Sequence, residues 1–208
     1  MSLFPDKQYS DIGDYLDSYA DLVRSAFATI DRSQLRNAAR TLEEAVSRKA
    51  TIFVCGNGGS ASISNHFVCD HVKGVRTGTD FHPKVASLST NIEIVTAIAN
   101  DIGYDNVFDF QLSSLSSPGD VLVAISSSGG SPNILGAIAW ARAHGVTSIA
   151  MTGFSGGDSR KLADIALHVD AQNYGVIEDV HQSLMHILAQ FLRQKRLIQP
   201  EQIGQIKF

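Results

Sequence analysis

The chain has 208 residues, a formal net charge of -4 and 18% charged residues, which fits one globular domain. The slightly acidic balance excludes a basic surface that would bind nucleic acid mainly through its phosphates. No apolar run approaches the roughly 20 residues that a membrane-spanning helix requires. The N-terminus lacks secretion-signal architecture, and Cys55 and Cys69 show no disulfide framework. We therefore expect a cytoplasmic protein with neither nucleic-acid nor membrane partners.

The first 50 residues have the apolar spacing of two helices. From Tyr15 to Phe27, apolar residues recur at intervals of three and four, and Asp31 or Ser33 could cap a second helix that includes Val46. No strand precedes this pair. We expect residues 1–50 to be a helical extension that contributes to oligomerisation, with packing on the chain's own sheet as the alternative.

Five short apolar runs follow, separated by turns and by stretches long enough for crossover helices. Uninterrupted runs of this kind indicate strands buried on both faces, as in a parallel sheet. The predicted fold of residues 51–208 is a three-layer αβα sandwich around a five-stranded parallel sheet, flavodoxin-like, which folds as one unit with the N-terminal helices. A last helix is predicted from about Tyr174 to Arg196. The runs are Thr51–Cys55, Val85–Leu88, Val121–Ile125, Ser148–Met151 and Ile165–Val169.

Two loops of small polar residues follow the first and third runs. Cys55–Ser60 contains three glycines, and Ser126–Asn133 contains four serines and two glycines. Glycine lets the backbone approach a ligand closely, and free N–H groups at the start of the next helix attract anions. Together, two such loops at the carboxyl ends of parallel strands predict a phosphorylated ligand. Either loop alone could be a plain strand-to-helix turn.

Two helical stretches carry candidate acid–base residues. His66 and Asp70 are four residues apart, so they share one face of the helix after the glycine-rich loop. Imidazole and carboxylate groups also suit Zn²⁺ and other divalent transition metals. An isolated His186 would be interpreted as a core histidine bonded to a backbone carbonyl. The candidates on the last helix are Glu178, Asp179, His181 and His186.

Five short motifs along the chain form a recognisable set. They are Gly56–Ala61, His66–Phe67, Asn100–Tyr104, Ser126–Gly129 and Met185–Leu188. As a set, they resemble the phosphoheptose isomerase family, whose members contain a sugar isomerase (SIS) domain, and the resemblance extends from the N-terminal helices to about Gln194. It implies a homotetramer with active sites at subunit interfaces. It also implies conversion of a ketose, sedoheptulose 7-phosphate, to D-glycero-D-manno-heptose 7-phosphate for surface polysaccharide.

The resemblance also assigns roles to residues. It implies that Asp70 is the catalytic base and His186 the acid, and that Asn57 and Asp101 hold sugar hydroxyls. In members that bind zinc, or another divalent transition metal, the ligands correspond to His66, Asp70, Glu178 and His186. The phosphate and sugar are expected at the two loops, on Asn57, Gly58, Gly59, Ser60, Ser126, Ser127, Ser128 and Ser131.

Two positions and two segments, Asp70–Arg76 and Tyr174–Val176, depart from the family pattern. Asp70 stands where the family has Glu, so its carboxylate reaches about 1.5 Å less far. Glu178 stands where the family has Gln, and the added negative charge favours a bound cation. Asp179 is an alternative to Glu178 as the ligand, because Asp179 aligns better with Gln182 and His186 around an ideal helix.

Two alternatives to a heptose phosphate isomerase stay open. The departures at Asp70 and Glu178 also fit an isomerase of a different ketose phosphate. A non-catalytic relative that binds a phosphosugar, or that regulates replication by binding an initiation protein, is the second alternative. The paired imidazole and carboxylate groups argue against it, because a binding protein needs no acid–base pair.

Overall fold

The centre of the fold is a parallel sheet of five strands, as the five apolar runs predicted. The computed structural model describes residues 3–207, so Met1, Ser2 and Phe208 of the predicted segments 1–50 and 51–208 lie outside the described residues. The strands are β1 (Thr51–Gly56), β2 (Lys84–Ser87), β3 (Val121–Ser126), β4 (Thr147–Thr152) and β5 (Ile165–His168). Their order is β2-β1-β3-β4-β5, with every pair parallel.

Helices connect the strands and cover both faces of the sheet. They are α1 (Ile12–Ala28), α2 (Arg32–Ser47), α3 (Gly59–Cys69), α4 (Ile92–Asp101), α5 (Asp109–Leu115), α6 (Pro132–Ala143), α7 (Ser159–Leu162) and α8 (Tyr174–Lys195). A π-helical segment, Asp70–Val75, directly continues α3. Within residues 3–207, no helix combines the length and apolar character that crossing a membrane would require.

Two apolar cores, one on each face of the sheet, produce the three layers. Successive side chains of a strand point to opposite faces, so Ile52 and Val54 lie in one core while Phe53 and Cys55 lie in the other. The first core is shared with α1, α2, α3 and α8, and the second with α4, α5 and α6. This arrangement confirms the predicted αβα sandwich.

The second N-terminal helix packs on the chain's own sheet. Leu42 and Val46 of α2 are buried in the core that contains β1 and β3. Asp31 is the residue that caps this helix, and its carboxylate accepts hydrogen bonds from the backbone N–H groups of Ser33 and Gln34. A contribution of residues 1–50 to oligomerisation stays a prediction.

The strand order reverses between β1 and β3, because the chain first moves outward to β2 and then crosses back to β3, β4 and β5. In open α/β sheets, ligands bind beyond the carboxyl ends of the strands at such a switch point. The glycine loop (Gly56–Gly59) follows β1, and the serine loop (Ser126–Ser131) follows β3. Both loops therefore lie where a ligand is expected.

A histidine is enclosed in the first core, in the middle of α8. His181 is fully buried, and its Nε2 lies 3.2 Å from the carbonyl oxygen of Thr152. Burial lowers the pKa of His181 to about 4, because an imidazolium there would lose its hydration. The ring is therefore neutral near pH 7. In an unfolded chain, an imidazole has a pKa of about 6.5.

We expect His181 to lower the free energy of unfolding by about 2 kcal/mol between pH ~7.5 and pH ~5. The unfolded chain takes up a proton here below about pH 6.5, whereas the folded protein does so only near its pKa of about 4. Acid therefore favours the unfolded state. Chemical denaturation across this pH range, on the unsubstituted protein and on His181→Gln, measures the effect. Equal pH dependence in the two proteins would contradict it.

Candidate active site

Helices α3 and α8 lie side by side and run in the same direction. At the start of α3, the Glu178 carboxylate lies over Gly59. Just beyond the end of α3, Asp70 contacts His186. Side chains four residues apart share a helix face, so each helix presents a row of polar groups to the other.

Asp70 lies between two imidazoles of the same chain. Its Oδ2 is 2.6 Å from His186 Nδ1, and its Oδ1 is 3.3 Å from His66 Nε2. The Asp70 and His186 side chains are 23% and 36% exposed, so a ligand can reach both. The structure thus brings together the residues proposed as base and acid, together with His66.

Gln182 joins this group from the next turn of α8. Its Nε2 lies 2.9 Å from His66 Nδ1 and 3.0 Å from His186 Nε2. The sequence interpretation considered Gln182 only for its alignment with His186 and assigned it no function. The sequence feature that could have identified Gln182 is its spacing of four residues from His186, which places both side chains on the same face of the helix.

Three of the four predicted metal ligands are close enough to hold one ion. Ligand atoms of His66, Asp70 and His186 all lie within 4.8 Å of one another. Two imidazoles and one carboxylate suit Zn²⁺, and three protein ligands are typical of catalytic zinc sites, which keep one position open. The donor set therefore fits a divalent transition metal.

The fourth predicted ligand, Glu178, is not part of this cluster within one chain, and its role as a ligand stays a prediction. Its Oε2 is 2.6 Å from the position that a Cβ on Gly59 would occupy. About 12 Å of helix, at 1.5 Å per residue, separates Glu178 from His186. The carboxylate instead faces the positive end of the α3 dipole.

The alternative ligand, Asp179, is also directed elsewhere. Its Oδ2 accepts a hydrogen bond of 2.7 Å from the hydroxyl of Tyr19 on α1. Burial and this bond raise the pKa of Tyr19 above its usual value, because the phenolate would lie beside a carboxylate. Asp179 therefore fastens α8 to α1.

A cleft of about 310 Å³ opens beside the acid–base pair. Asp70, His186, Lys73 and Arg193 contribute to its lining. Lys73 belongs to the π-helical segment, which sequence reasoning did not predict, although this stretch departs from the family pattern. π-Helical turns occur frequently at functional sites. Two cationic side chains here make the cleft suitable for an anionic or polyhydroxyl ligand.

The hydroxyl groups of the serine loop lie close together. Ser126 Oγ is 3.4 Å from Ser131 Oγ and accepts a hydrogen bond of 3.2 Å from the N–H of Gly129. Ser128 is exposed. Ser127 Oγ is buried and has no hydrogen-bond partner among the described residues. A buried hydroxyl without a partner costs roughly 1–3 kcal/mol, and a phosphate oxygen is one group that would satisfy it.

Hydrogen bonds link the glycine loop to the helix after the serine loop. The side chains of Asn57 and Asn133 exchange two hydrogen bonds of 2.9 and 3.0 Å. The Tyr104 hydroxyl donates a third, of 2.9 Å, to Asn57 Oδ1. Both lone pairs of that oxygen are thus used, and one N–H of Asn57 is left for a sugar. Sequence reasoning did not identify Asn133 or Tyr104, although both lie within or next to its motifs.

The remaining predicted substrate residues lie at the ends of helices. Ser60 is buried in the first turn of α3, directly after Gly58 and Gly59. Asp101 is the last residue of α4, is exposed, and accepts a hydrogen bond of 2.7 Å from Asn100. Their roles in substrate binding stay predictions.

We expect Gly129→Ala to lower the free energy of unfolding by more than about 2 kcal/mol. Gly129 has a φ of 66°, and a Cβ there would collide with the carbonyl oxygen of Gly156 in the loop after β4. Chemical denaturation followed by circular dichroism measures the change. Gly130→Ala is the matched control, since a Cβ at that position meets nothing within 4 Å. Equal destabilisation by both variants would contradict the prediction.

The chain matches a known domain family and resembles named proteins. The family profile described as SIS domain matches residues 14–153, which include both loops and all of α3. The phosphoheptose isomerase of Nitratidesulfovibrio vulgaris is 38% identical over 161 residues, covering 74% of this chain and 77% of that protein. The phosphoheptose isomerase of Aliarcobacter butzleri is 37% identical over 158 residues, covering 76% and 83%.

Two solved structures of phosphoheptose isomerases are also similar to this chain. The phosphoheptose isomerase from Neisseria gonorrhoeae has a TM-score of 0.79 and 28% identity, covering 87% of this chain and 96% of that chain. For the phosphoheptose isomerase from Francisella tularensis, the TM-score is 0.81 at 27% identity, covering 88% and 96%. The chain therefore belongs to the SIS-domain family of phosphoheptose isomerases.

Proposed function

We propose that the chain is an aldose–ketose isomerase that converts sedoheptulose 7-phosphate to D-glycero-D-manno-heptose 7-phosphate for surface polysaccharide. The observation that carries this proposal is the 2.6 Å contact between Asp70 and His186 on one cleft. Family membership supports it, because relatives that are 37–38% identical carry the name phosphoheptose isomerase.

The pair supplies the two groups that isomerisation through an enediol requires. Asp70 removes a proton from C1 of the ketose while His186 donates one to the carbonyl oxygen at C2, which gives a 1,2-enediol. Return of a proton to C2 and loss of the proton from the C1 hydroxyl give the aldose. The reaction is balanced, because Asp70 and His186 together return to the sugar as many protons as they remove from it.

Aspartate in place of glutamate does not separate the pair. The sequence predicted a carboxylate that is about 1.5 Å too short if the helix is fixed. In the structure, Asp70 nevertheless reaches His186 at hydrogen-bond distance. The π-helical segment that begins at Asp70 alters the backbone where the shorter side chain is attached. This supports Asp70 as the base of the reaction.

Zinc, or another divalent transition metal, fits the same three side chains. His66, Asp70 and His186 would hold it. A bound ion of this type polarises a carbonyl or hydroxyl oxygen of the substrate as a Lewis acid. The chain's own residues orient the sugar and move the protons.

The glycine loop and the acid–base pair of one chain lie at opposite ends of α3, farther apart than one extended substrate reaches. Helix α3 has 11 residues, so it places Asp70 about 16 Å from the glycine loop along its axis. The carbonyl carbon and the phosphorus of an extended heptose 7-phosphate are about 9 Å apart, given bonds of about 1.5 Å. We therefore propose that loops of one subunit and the Asp70–His186 pair of another form each site, in a homotetramer.

Exposed apolar side chains support assembly into an oligomer. On α1, Ile12 and Leu16, one turn apart, are 81% and 63% exposed, and Ile102, directly after α4, is 51% exposed. Neighbouring apolar residues on a surface are typical of protein interfaces. Ile102 lies two residues before Tyr104, which contacts the glycine loop, so an interface there would border the site.

Purified protein is expected to convert sedoheptulose 7-phosphate to the aldose, and Asp70→Asn to lower kcat by about 10²- to 10⁴-fold. The amide cannot act as the base. Binding of the sugar phosphate should persist, because the serine loop is unchanged. A coupled assay for the aldose measures kcat, and calorimetry measures binding. Asp21→Asn, on the exposed side of α1, is the control that should keep full activity.

Other outcomes of this assay favour the alternatives. Turnover only of pentulose or hexulose phosphates would indicate a different ketose phosphate as the substrate. Binding without turnover of any ketose phosphate would indicate a non-catalytic phosphosugar-binding protein. An unchanged kcat in Asp70→Asn would remove Asp70 from the mechanism.

Two inactive variants are expected to restore activity when they assemble together. One is Asp70→Asn, and the other replaces Ser128 and Ser131 with alanine in the serine loop. If a site draws its loop and its acid–base pair from different chains, some sites in mixed oligomers contain both intact parts. Co-expression, purification of mixed oligomers by two affinity tags, and the same assay measure the recovery. Mixed oligomers without activity would place the whole site in one chain.

A further inference from the structure

Three polar side chains from separate segments of the chain meet beside the glycine loop. Asn57 lies within that loop, Asn133 lies in the first turn of α6, and Tyr104 lies between α4 and α5. Tyr104 and Asn133 are 47 and 76 positions away from Asn57 in the sequence, so only the folded chain brings the three together. Asn133 is almost fully buried, at 1% exposure, whereas Tyr104 is 52% exposed.

The side-chain amide of Asn57 has three of its four hydrogen-bonding positions occupied. Its Oδ1 accepts hydrogen bonds from the Tyr104 hydroxyl at 2.9 Å and from Asn133 Nδ2 at 3.0 Å, and its Nδ2 donates to Asn133 Oδ1 at 2.9 Å. An amide oxygen has two lone pairs and an amide nitrogen has two hydrogens. Within residues 3–207, the position that is left is therefore one N–H of Asn57.

The contact with Tyr104 favours one of the two orientations that the amide pair could adopt. If the amides of Asn57 and Asn133 both turned over, the two bonds between them would be kept, and Asn57 would present an oxygen in place of the N–H. The bond that Tyr104 donates would be lost, because an amide nitrogen accepts no hydrogen bond. A phenol can also accept, but its own hydrogen would then lose the acceptor that Asn57 Oδ1 provides.

The remaining N–H of Asn57 lies where a ligand is expected. The glycine loop follows β1 at the point where the strand order reverses, and ligands bind beyond such switch points in open α/β sheets. Asn57 is partly exposed there, so a ligand can reach this group. A hydroxyl oxygen of a sugar is an acceptor that matches it.

We propose that Tyr104 is a positioning residue that holds the Asn57 amide, so that its remaining N–H meets a hydroxyl oxygen of the sugar. The inference rests on the proposed function, since it concerns the sugar part of that substrate. A group that is already fixed before binding loses little conformational entropy when the ligand arrives. Tyr104 thus acts through Asn57, and the serine loop proposed for the phosphate is outside its reach.

The first test needs no ligand. Nitrogen-15 relaxation of side-chain amides measures the mobility of the Asn57 Nδ2 group in the unsubstituted protein and in Tyr104→Phe, which removes one oxygen. We expect this group to be rigid in the unsubstituted protein and mobile in the variant. Tyr9→Phe is the matched control, because it also removes a hydroxyl that donates to a polar side chain, that of Asp6, and it should leave Asn57 rigid.

The second test is a double-mutant cycle on binding, measured by calorimetry with Asp70→Asn in every protein so that no substrate turns over. We expect Tyr104→Phe to weaken binding of sedoheptulose 7-phosphate about 3- to 10-fold, the loss of roughly one hydrogen bond. Binding of inorganic phosphate should stay unchanged. In the Asn57→Ala background, Tyr104→Phe should cause no further loss, because residues that act through one another are not additive.

Two outcomes would overturn the proposal. One is an Asn57 amide that stays rigid in Tyr104→Phe. The other is an equal loss of affinity from Tyr104→Phe with and without Asn57, because Tyr104 would then contact the sugar directly or act through the fold. Turnover of sedoheptulose 7-phosphate without this coupling refutes the inference alone. Coupling without turnover, in proteins that retain Asp70, refutes the proposed function alone.

Discussion

The parallel packing of α3 against α8 is the constraint on which the site depends. Because the two helices lie side by side and run in the same direction, successive residues along α3 meet successive residues along α8. Asp70 therefore meets His186, and Gly59 meets Glu178. The apolar sides of both helices are buried in the same core against the sheet, which holds these levels in register.

The length of α3 divides the chemistry between its two ends. Its N-terminal end adjoins the glycine loop and faces Glu178 of α8, whose carboxylate lies over Gly59 at the positive end of the α3 dipole. Its C-terminal end leads to Asp70 and to the cleft with Lys73 and Arg193. The residues proposed for phosphate binding and those proposed for proton transfer thus lie at opposite ends of this helix, which is the physical basis of the proposed shared site.

Local patterns made the sheet and both loops predictable, whereas the ligand set depends on how two helices are placed. Apolar runs identified every strand to within one residue, because burial on both faces leaves no polar alternation. Glu178 was assigned as a ligand by resemblance, and about 12 Å of helix rise separates its backbone from that of His186 in one chain, so local spacing does not decide whether it joins the cluster. The π-helical segment Asp70–Val75 has no distinct apolar period, and the contacts of Gln182 follow from the relative direction of α3 and α8.

The close approach of the serine loop and the loop after β4 has a consequence for affinity. Gly129 lies directly against Gly156 and Gly157, with no room for a side chain, and its carbonyl oxygen accepts a hydrogen bond of 3.0 Å from the N–H of Ser159. A loop clamped in this way has little conformational entropy left to lose when a dianion arrives. Ordering flexible side chains costs about 0.5–1.5 kcal/mol each on association. Short hydroxyls on a rigid backbone avoid most of that loss, which suits the phosphate-binding role proposed for a loop that has no lysine or arginine of its own.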